Sequence, residues 1–233
     1  MDERLLDLGV PLGVQVQGGD DVAIREDPPG CCVIAFDEYT PYLSFADLSA
    51  VLPSIGHRYT SLLIFVNCGV WDLEEDEALH LGTLIQAHLG NLQHATFDGY
   101  FDVGPRTILV QHLPRQLLSL AMKSCDVQQI TGALAHIPSH LPGLKSLTLE
   151  VVDYHCYNES DTAGIISSLS RSIQLLPDLE SLCMARVESI DSGEWNLVVG
   201  AITCHDKIKV ASFRQLYCLD SDRKSNFFTF DKD

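Results

Sequence analysis

The chain has 233 residues, 46% of them apolar, enough for a large buried core in one domain or for a solenoid whose core lengthens unit by unit. It carries 32 acidic residues against 15 lysines and arginines, a net charge of −17. Such a surface repels phosphate backbones and anionic membranes, and no stretch approaches the roughly 18 uncharged apolar residues of a membrane span, so neither nucleic acid nor a membrane is an expected partner.

At the N-terminus, MDERLLDLGV mixes charges of both signs and has no apolar h-region, unlike a secretory leader. The expected location is therefore cytoplasmic or nuclear, where eight cysteines stay as thiols. Residues 1–30 read as an N-terminal cap. Val14-Gln15-Val16 suggests a capping strand, and Gly18–Asp21 and Pro28-Pro29-Gly30 read as turns.

From Cys31 onward one frame recurs. Its fullest copy is Leu117, Leu120, Met122, Cys125 and Val127. Thr60, Leu63, Phe65, Cys68 and Val70 fill it again, as do Leu144, Leu147, Leu149, Val152 and Tyr154, then Leu179, Leu182, Met184 and Val187. Weaker copies start at Cys31 (Ile34, Phe36, Tyr39), Leu92 (Ala95, Phe97, Tyr100) and Ile208 (Ala211, Phe213, Leu216). Seven copies with four anchors each give 28 slots, of which 27 are apolar, against about 13 expected from composition. Anchors four and six share one face of a strand because side chains alternate. One such unit cannot bury its apolar face, so neighbours must stack.

Helices are expected between the strands. Residues 45–58 and the segments Leu73–Leu89, Val127–His140 and Trp195–Cys204 fit, and residues 105–113 leave room for a short helix or 3₁₀ turn. Ser160-Asp161-Thr162 offers an N-cap, followed at helical spacing by Ile165, Leu169, Ile173 and Leu176, with Pro177 as the stop. The acidic run Asp72, Glu74, Glu75, Asp76, Glu77 precedes one helix, where it suits the helix dipole. Residues 219–233, with Phe227, Phe228 and Phe230, read as a C-terminal cap, or alternatively as a docking tail.

The frame resembles the leucine-rich repeat pattern L-x-x-L-x-L-x-x-N/C-x-L at every anchor. Its irregular lengths resemble the ribonuclease-inhibitor and F-box-associated types. The resemblance covers residues 31–218. It implies an α/β solenoid of about seven repeats, with a curved parallel sheet on the concave side, helices on the convex side, and a protein partner.

Catalytic motifs are missing: there is no G-x-S-x-G, no P-loop and no G-x-G-x-x-G. Cys31-Cys32, His155-Cys156, Cys204-His205 and the pair His136 and His140 lack the spacing of a zinc site, and Cys68 and Cys125 are explained by the repeat's ninth position. No catalytic residue, metal or cofactor is expected. The candidate binding surface is the concave face. Its N-terminal half offers Asp37, Glu38, Asn67, His94 and Asp98; its C-terminal half offers Lys123, Lys145, Glu150, Arg186, Lys209 and Arg214. Small residues at the fifth position (Ala35, Thr96, Ala121, Thr148, Cys183, Ser212) would leave an accessible trough. Acid is concentrated before residue 117, so this face is expected to be acidic at its N-terminal end and more basic at the other. The expected function is a non-enzymatic interaction module, in its narrower form the substrate-recognition part of a ubiquitin-ligase adaptor. An acidic inhibitor of a basic enzyme and, more remotely, a small hydrolase are the alternatives.

Overall fold

The computed structural model describes residues 22–26, 30–36, 45–66, 73–99, 101, 103–125, 127–151, 159–185, 192–216 and 225–231. Among these, strands and helices alternate along the chain: β1 (Val22–Glu26), β2 (Cys31–Phe36), α1 (Phe45–Ile55), β3 (Ser61–Val66), α2 (Glu75–His88), β4 (His94–Gly99), α3 (Val103–His112), β5 (Ser119–Cys125), α4 (Val127–His140), β6 (Ser146–Val151), α5 (Glu159–Leu175), β7 (Ser181–Ala185), α6 (Ser192–Thr203), β8 (Val210–Leu216) and β9 (Ser225–Asp231). A 3₁₀ turn at Gly56–Arg58 closes α1. The nine strands form one sheet in sequence order. β2 to β8 are mutually parallel, and β1 and β9 run antiparallel at the two edges. Helices pack on their chain neighbours in the same order, the solenoid-like arrangement that stacked strand–helix units produce.

The register is set before each strand begins. The carbonyl of Gly30 accepts the N–H groups of Thr60 and Ser61; Thr60 then accepts those of Gln93 and His94. The step repeats through Gln93, Leu118, Lys145 and Glu180, whose carbonyl accepts Lys209 and Val210. This staircase places Leu62, Ala95, Leu120, Leu147, Leu182 and Ala211 in one row, and Ile64, Phe97, Met122, Leu149, Met184 and Phe213 in the next. All twelve are buried, in one core with Leu81, Ile85, Ile130, Leu134, Leu169 and Ile173 from the helices. The residues between them on β3 to β7 are half-buried and form the other, open face.

Two of the seven frames need correction. The anchor row begins at Tyr59, not Thr60, because Tyr59 is buried and Leu62, Ile64 and Val66 point into the core. Leu63 and Phe65 therefore lie on the open face. Leu62–Val66 is apolar at every position, so alternation alone cannot choose the face, and the covering helices decide it. The first frame also shifts by two residues: Cys32 aligns with Leu62 and Ile34 with Ile64. β2 is buried at all six positions, so Ala35, expected to be accessible, is not. Counted from Tyr59 the ninth residue is Asn67 rather than Cys68; both lie outside the described residues.

The helices match the apolar spacing closely. Residues 103–112 make a short α-helix, one of the two forms expected there. α5 starts at Glu159, so Ser160-Asp161-Thr162 fills its first turn, where N–H groups lack partners and such residues are tolerated. In α2 the Glu74 N–H donates to the Glu77 carboxylate 3.1 Å away, and Glu75, Asp76 and Glu77 occupy the first turn. The strand suggested at Val14–Val16 lies outside the described residues, while β1 supplies an edge strand at Val22–Glu26. Phe227, Phe228 and Phe230 belong to the edge strand β9, with Phe228 registered to Phe213 and Phe230 to Ala211.

Two local devices hold the stack. Pro138, inside α4, cannot supply the N–H that the Leu134 carbonyl would normally receive. The buried Ser172 hydroxyl of α5 lies 3.0 Å from that carbonyl and 2.8 Å from Ser168 O, and can donate to either. Arg106 of α3 is fully buried; its guanidinium donates to Gly99 O at 2.9 Å and to the Cys125 thiol, and stacks 4.8 Å from the Phe101 ring. It thereby joins the ends of β4 and β5 to the helix above them. Gly99 is required there. Its φ is +113°, and a Cβ would sit 1.9 Å from the Val66 carbonyl oxygen.

Two stability predictions follow from this geometry. Leu147→Ala and Leu149→Ala should each cost about 2–5 kcal/mol in urea unfolding, whereas Thr148→Ala between them should cost under about 1 kcal/mol. Equal costs for all three would contradict the register. Gly99→Ala combines a strained φ with a backbone clash, and should lose at least about 2 kcal/mol or prevent folding.

Candidate functional site

With the core rows assigned, the open face can be read row by row. The row nearest the strand starts is Ser61, His94, Ser119, Ser146, Ser181 and Val210; the central row is Leu63, Thr96, Ala121, Thr148, Cys183 and Ser212. Most of these side chains are half-buried; His94 and Val210 are exposed. Short side chains dominate from β4 to β7, and among the described residues β3 adds the bulky apolar groups Leu63 and Phe65, with the exposed Val210 at the start of β8.

Beyond the central row, Asp98 on β4 is registered to Lys123 on β5, so opposite charges sit on adjoining strands. Between Lys123 and Cys125 the chain bulges, shifting the β5–β6 register. Ser124 takes the extra position with φ +52°, a left-handed conformation uncommon outside glycine. Its hydroxyl donates to the Asp98 carboxylate at 2.9 Å, which gives the bulge a local partner. On the next strands Glu150 is registered to Ala185, and Ala185 to Arg214.

The remaining lysines stand apart from these rows. Lys145 and Lys209 occupy the staircase positions just ahead of β6 and β8, and Glu180 lies between them ahead of β7. The Glu180 carboxylate is 3.5 Å from Lys145 Nζ and 2.6 Å from Lys209 Nζ. A second pair, Lys207 with Asp178, lies alongside in the turns. Hydrogen bonding from Lys209, then its charge, holds the Glu180 carboxyl below the usual carboxylate range, and Lys207 does the same for Asp178. Whatever these exposed pairs add to stability is full at neutral pH and is lost only as pH falls through the depressed carboxylate range.

Of the eleven residues singled out from sequence, the structure brings Asp98 and Lys123 together on adjoining strands and sets His94 and Glu150 on the same open face. Lys145 and Lys209 share Glu180 instead of standing free, which offsets the positive charge expected at this end. Arg214 lies on β8. Asp37, Glu38, Asn67 and Arg186 lie outside the described residues. Sequence reading missed Glu180 and Ser124. Glu180 could have been found: it holds the same second position of its repeat as Lys145 and Lys209, and like positions stack. The bulge at Ser124 left no such signal.

Among the described residues, no group of three or more histidine, cysteine or acidic side chains is arranged to hold a metal ion, and no helix is long and apolar enough to cross a membrane. No protein-family model matches the chain, and no curated protein matches it significantly.

The open face is testable through its central thiol. Cys183 is half-buried there and Cys204 is exposed, whereas Cys32 and Cys125 are fully buried. In native protein a maleimide should label Cys204 and Cys183 well before Cys32 and Cys125, as read by peptide mass mapping. Protection of Cys183 equal to that of Cys125 would mean that the sheet is covered on both faces at β7.

Proposed function

We propose that the chain is a leucine-rich repeat module that binds a protein partner across its open sheet face and catalyses nothing itself. The observation that carries this reading is the contrast between the two faces of the sheet. One is sealed by six helices; the other presents the Leu63–Phe65 patch on β3, the adjoining opposite charges of Asp98 and Lys123, and short, half-buried side chains from β4 to β7. A broad face with an apolar area beside mixed polar groups suits a folded protein better than a small molecule, which calls for a concave pocket. Alternating charge fixes the register of a partner more than it adds affinity.

The mixed signs on the described part of this face favour a partner of mixed charge over a uniformly basic enzyme. Recognition of a ubiquitin-ligase substrate is the narrower form of the proposal. Its support is the resemblance of the irregular repeat lengths to F-box-associated proteins.

A photo-activated cross-linker placed at Thr96 or Thr148, in the central open row, should capture the partner in cells, and the same group at the exposed helix residues Leu79 or Leu197 should not. Cross-links confined to the helix positions would overturn the open-face reading. Ubiquitin-ligase subunits among the captured proteins would support the narrower form, and a single basic enzyme would replace it.

A further inference from the structure

Successive units are tied at the turns that lead from helix to strand, by a side chain of one unit bonded to a carbonyl of the unit before. Asn91 donates to His57 O at 2.9 Å, and Gln116 to Gly90 O. At two later joints the tie is an imidazole: His140 Nε2 is 2.7 Å from Leu113 O, and His205 Nε2 is 2.9 Å from Leu176 O. A carbonyl can only accept, so Nε2 carries the proton in both rings.

The other nitrogen distinguishes them. His205 Nδ1 lies 3.2 Å from the Lys207 N–H and 3.3 Å from the Ile208 N–H. Backbone amides can only donate, so this nitrogen must accept, and the ring is neutral in this arrangement. A proton added at Nδ1 would face two N–H groups and break both bonds. The known tie of His140 is through a donating nitrogen, which a charged ring retains; the same holds for His112 Nδ1, 2.8 Å from Ile108 O.

We propose that His205 is a proton-operated latch, whose charging opens the turn that seats β8 on the stack. Lys207 and Ile208 lead directly to Lys209 and Val210, whose N–H groups make the last step of the staircase onto Glu180 O. β9 pairs with β8, so the latch controls the seating of the last two strands. Units of a stack touch only their neighbours, so an end can loosen while the rest stays folded. Protons can reach the ring, because His205 is half-buried and borders a cleft of about 300 Å³ with Gln174, Pro177, Ala201 and Cys204.

The charged groups that border the cleft with it are Asp206 and Lys207; Lys207 pairs with Asp178, and Glu180, two residues on, pairs with Lys209 and Lys145, while α5 and α6 contribute the uncharged Gln174 and Ala201 to the cleft. Asp178 and Glu180 are held below the ordinary carboxylate range by their lysines, so they keep their charge while a histidine titrates.

The test is amide hydrogen exchange by NMR between about pH 8 and pH 5, the span in which histidine changes charge, with the His205 ring followed by its nitrogen shifts. Protection of Lys207 and Ile208, corrected for intrinsic exchange, should fall about tenfold in step with ring charging, the measure of one or two lost hydrogen bonds. His205→Gln should make this protection independent of pH, whereas His140→Gln should leave the response in place. The proposal is overturned if the two amides keep their protection while the ring charges, if the ring stays neutral throughout, or if His205→Gln responds as wild type does. Should His205→Gln not fold, the comparison of ring and amides in the wild-type protein and in His140→Gln decides alone.

Discussion

A strand of five to seven residues with one helix cannot bury its own apolar side chains, and the whole molecule follows from the way neighbours solve this together. The backbone staircase from Gly30 to Glu180 is the constraint on which the rest depends. Each carbonyl accepts two N–H groups from the next unit, and so fixes which residue of one strand meets which residue of the next. A slip of one residue would turn Leu147 and Leu149 outward and bury Thr148. The core, the open face and the pairing of Lys145 with Glu180 are all consequences of one register.

The loops that carry this register are tied by side chains as well as by backbone bonds. Side-chain ties from Asn91, Gln116, His140 and His205 reach back one unit each. Inside, Arg106 plays a similar part, reaching Gly99 and Cys125 from α3. A buried guanidinium is costly to desolvate and strongly destabilising if its partners are removed, so its geometry constrains the β4–β5 junction more than an apolar side chain would. The same junction holds the left-handed Ser124 and the indispensable Gly99. Irregular backbone is thus concentrated beside the part of the open face where Asp98 and Lys123 adjoin.

Much of the fold was legible because period and composition agree. Five of the seven repeat starts, at 92, 117, 144, 179 and 208, match the observed core rows, and α4 spans the predicted Val127–His140. The first two starts failed for different reasons. In Leu62–Val66 every residue is apolar, so alternation carries no information about which face is covered; in Cys31–Phe36 the inward face was right, and the uniformly apolar, buried strand hid only a two-residue offset along it. For the binding face, strand residues such as Asp98 and Lys123 could be listed from register, but the sharing of Glu180 by two lysines appears only when three consecutive turns are superposed.

By itself, then, the amino-acid order determined the alternation of strands and helices, the stacking of units and the absence of familiar catalytic motifs. These depend on local periodicity, which a single chain segment contains in full. Tertiary structure decided which face of β3 is buried, which lysines are paired, where β5 bulges and which histidine accepts rather than donates. The lysine pairing and the bulge's bond to Asp98 depend on what a neighbouring unit brings within about 3 Å, the distance at which hydrogen bonds act; the buried face of β3 depends on the helices that cover it, and the accepting nitrogen of His205 on the fold of its own turn. Residues 25 to 35 positions apart reach that distance only after the stack has formed.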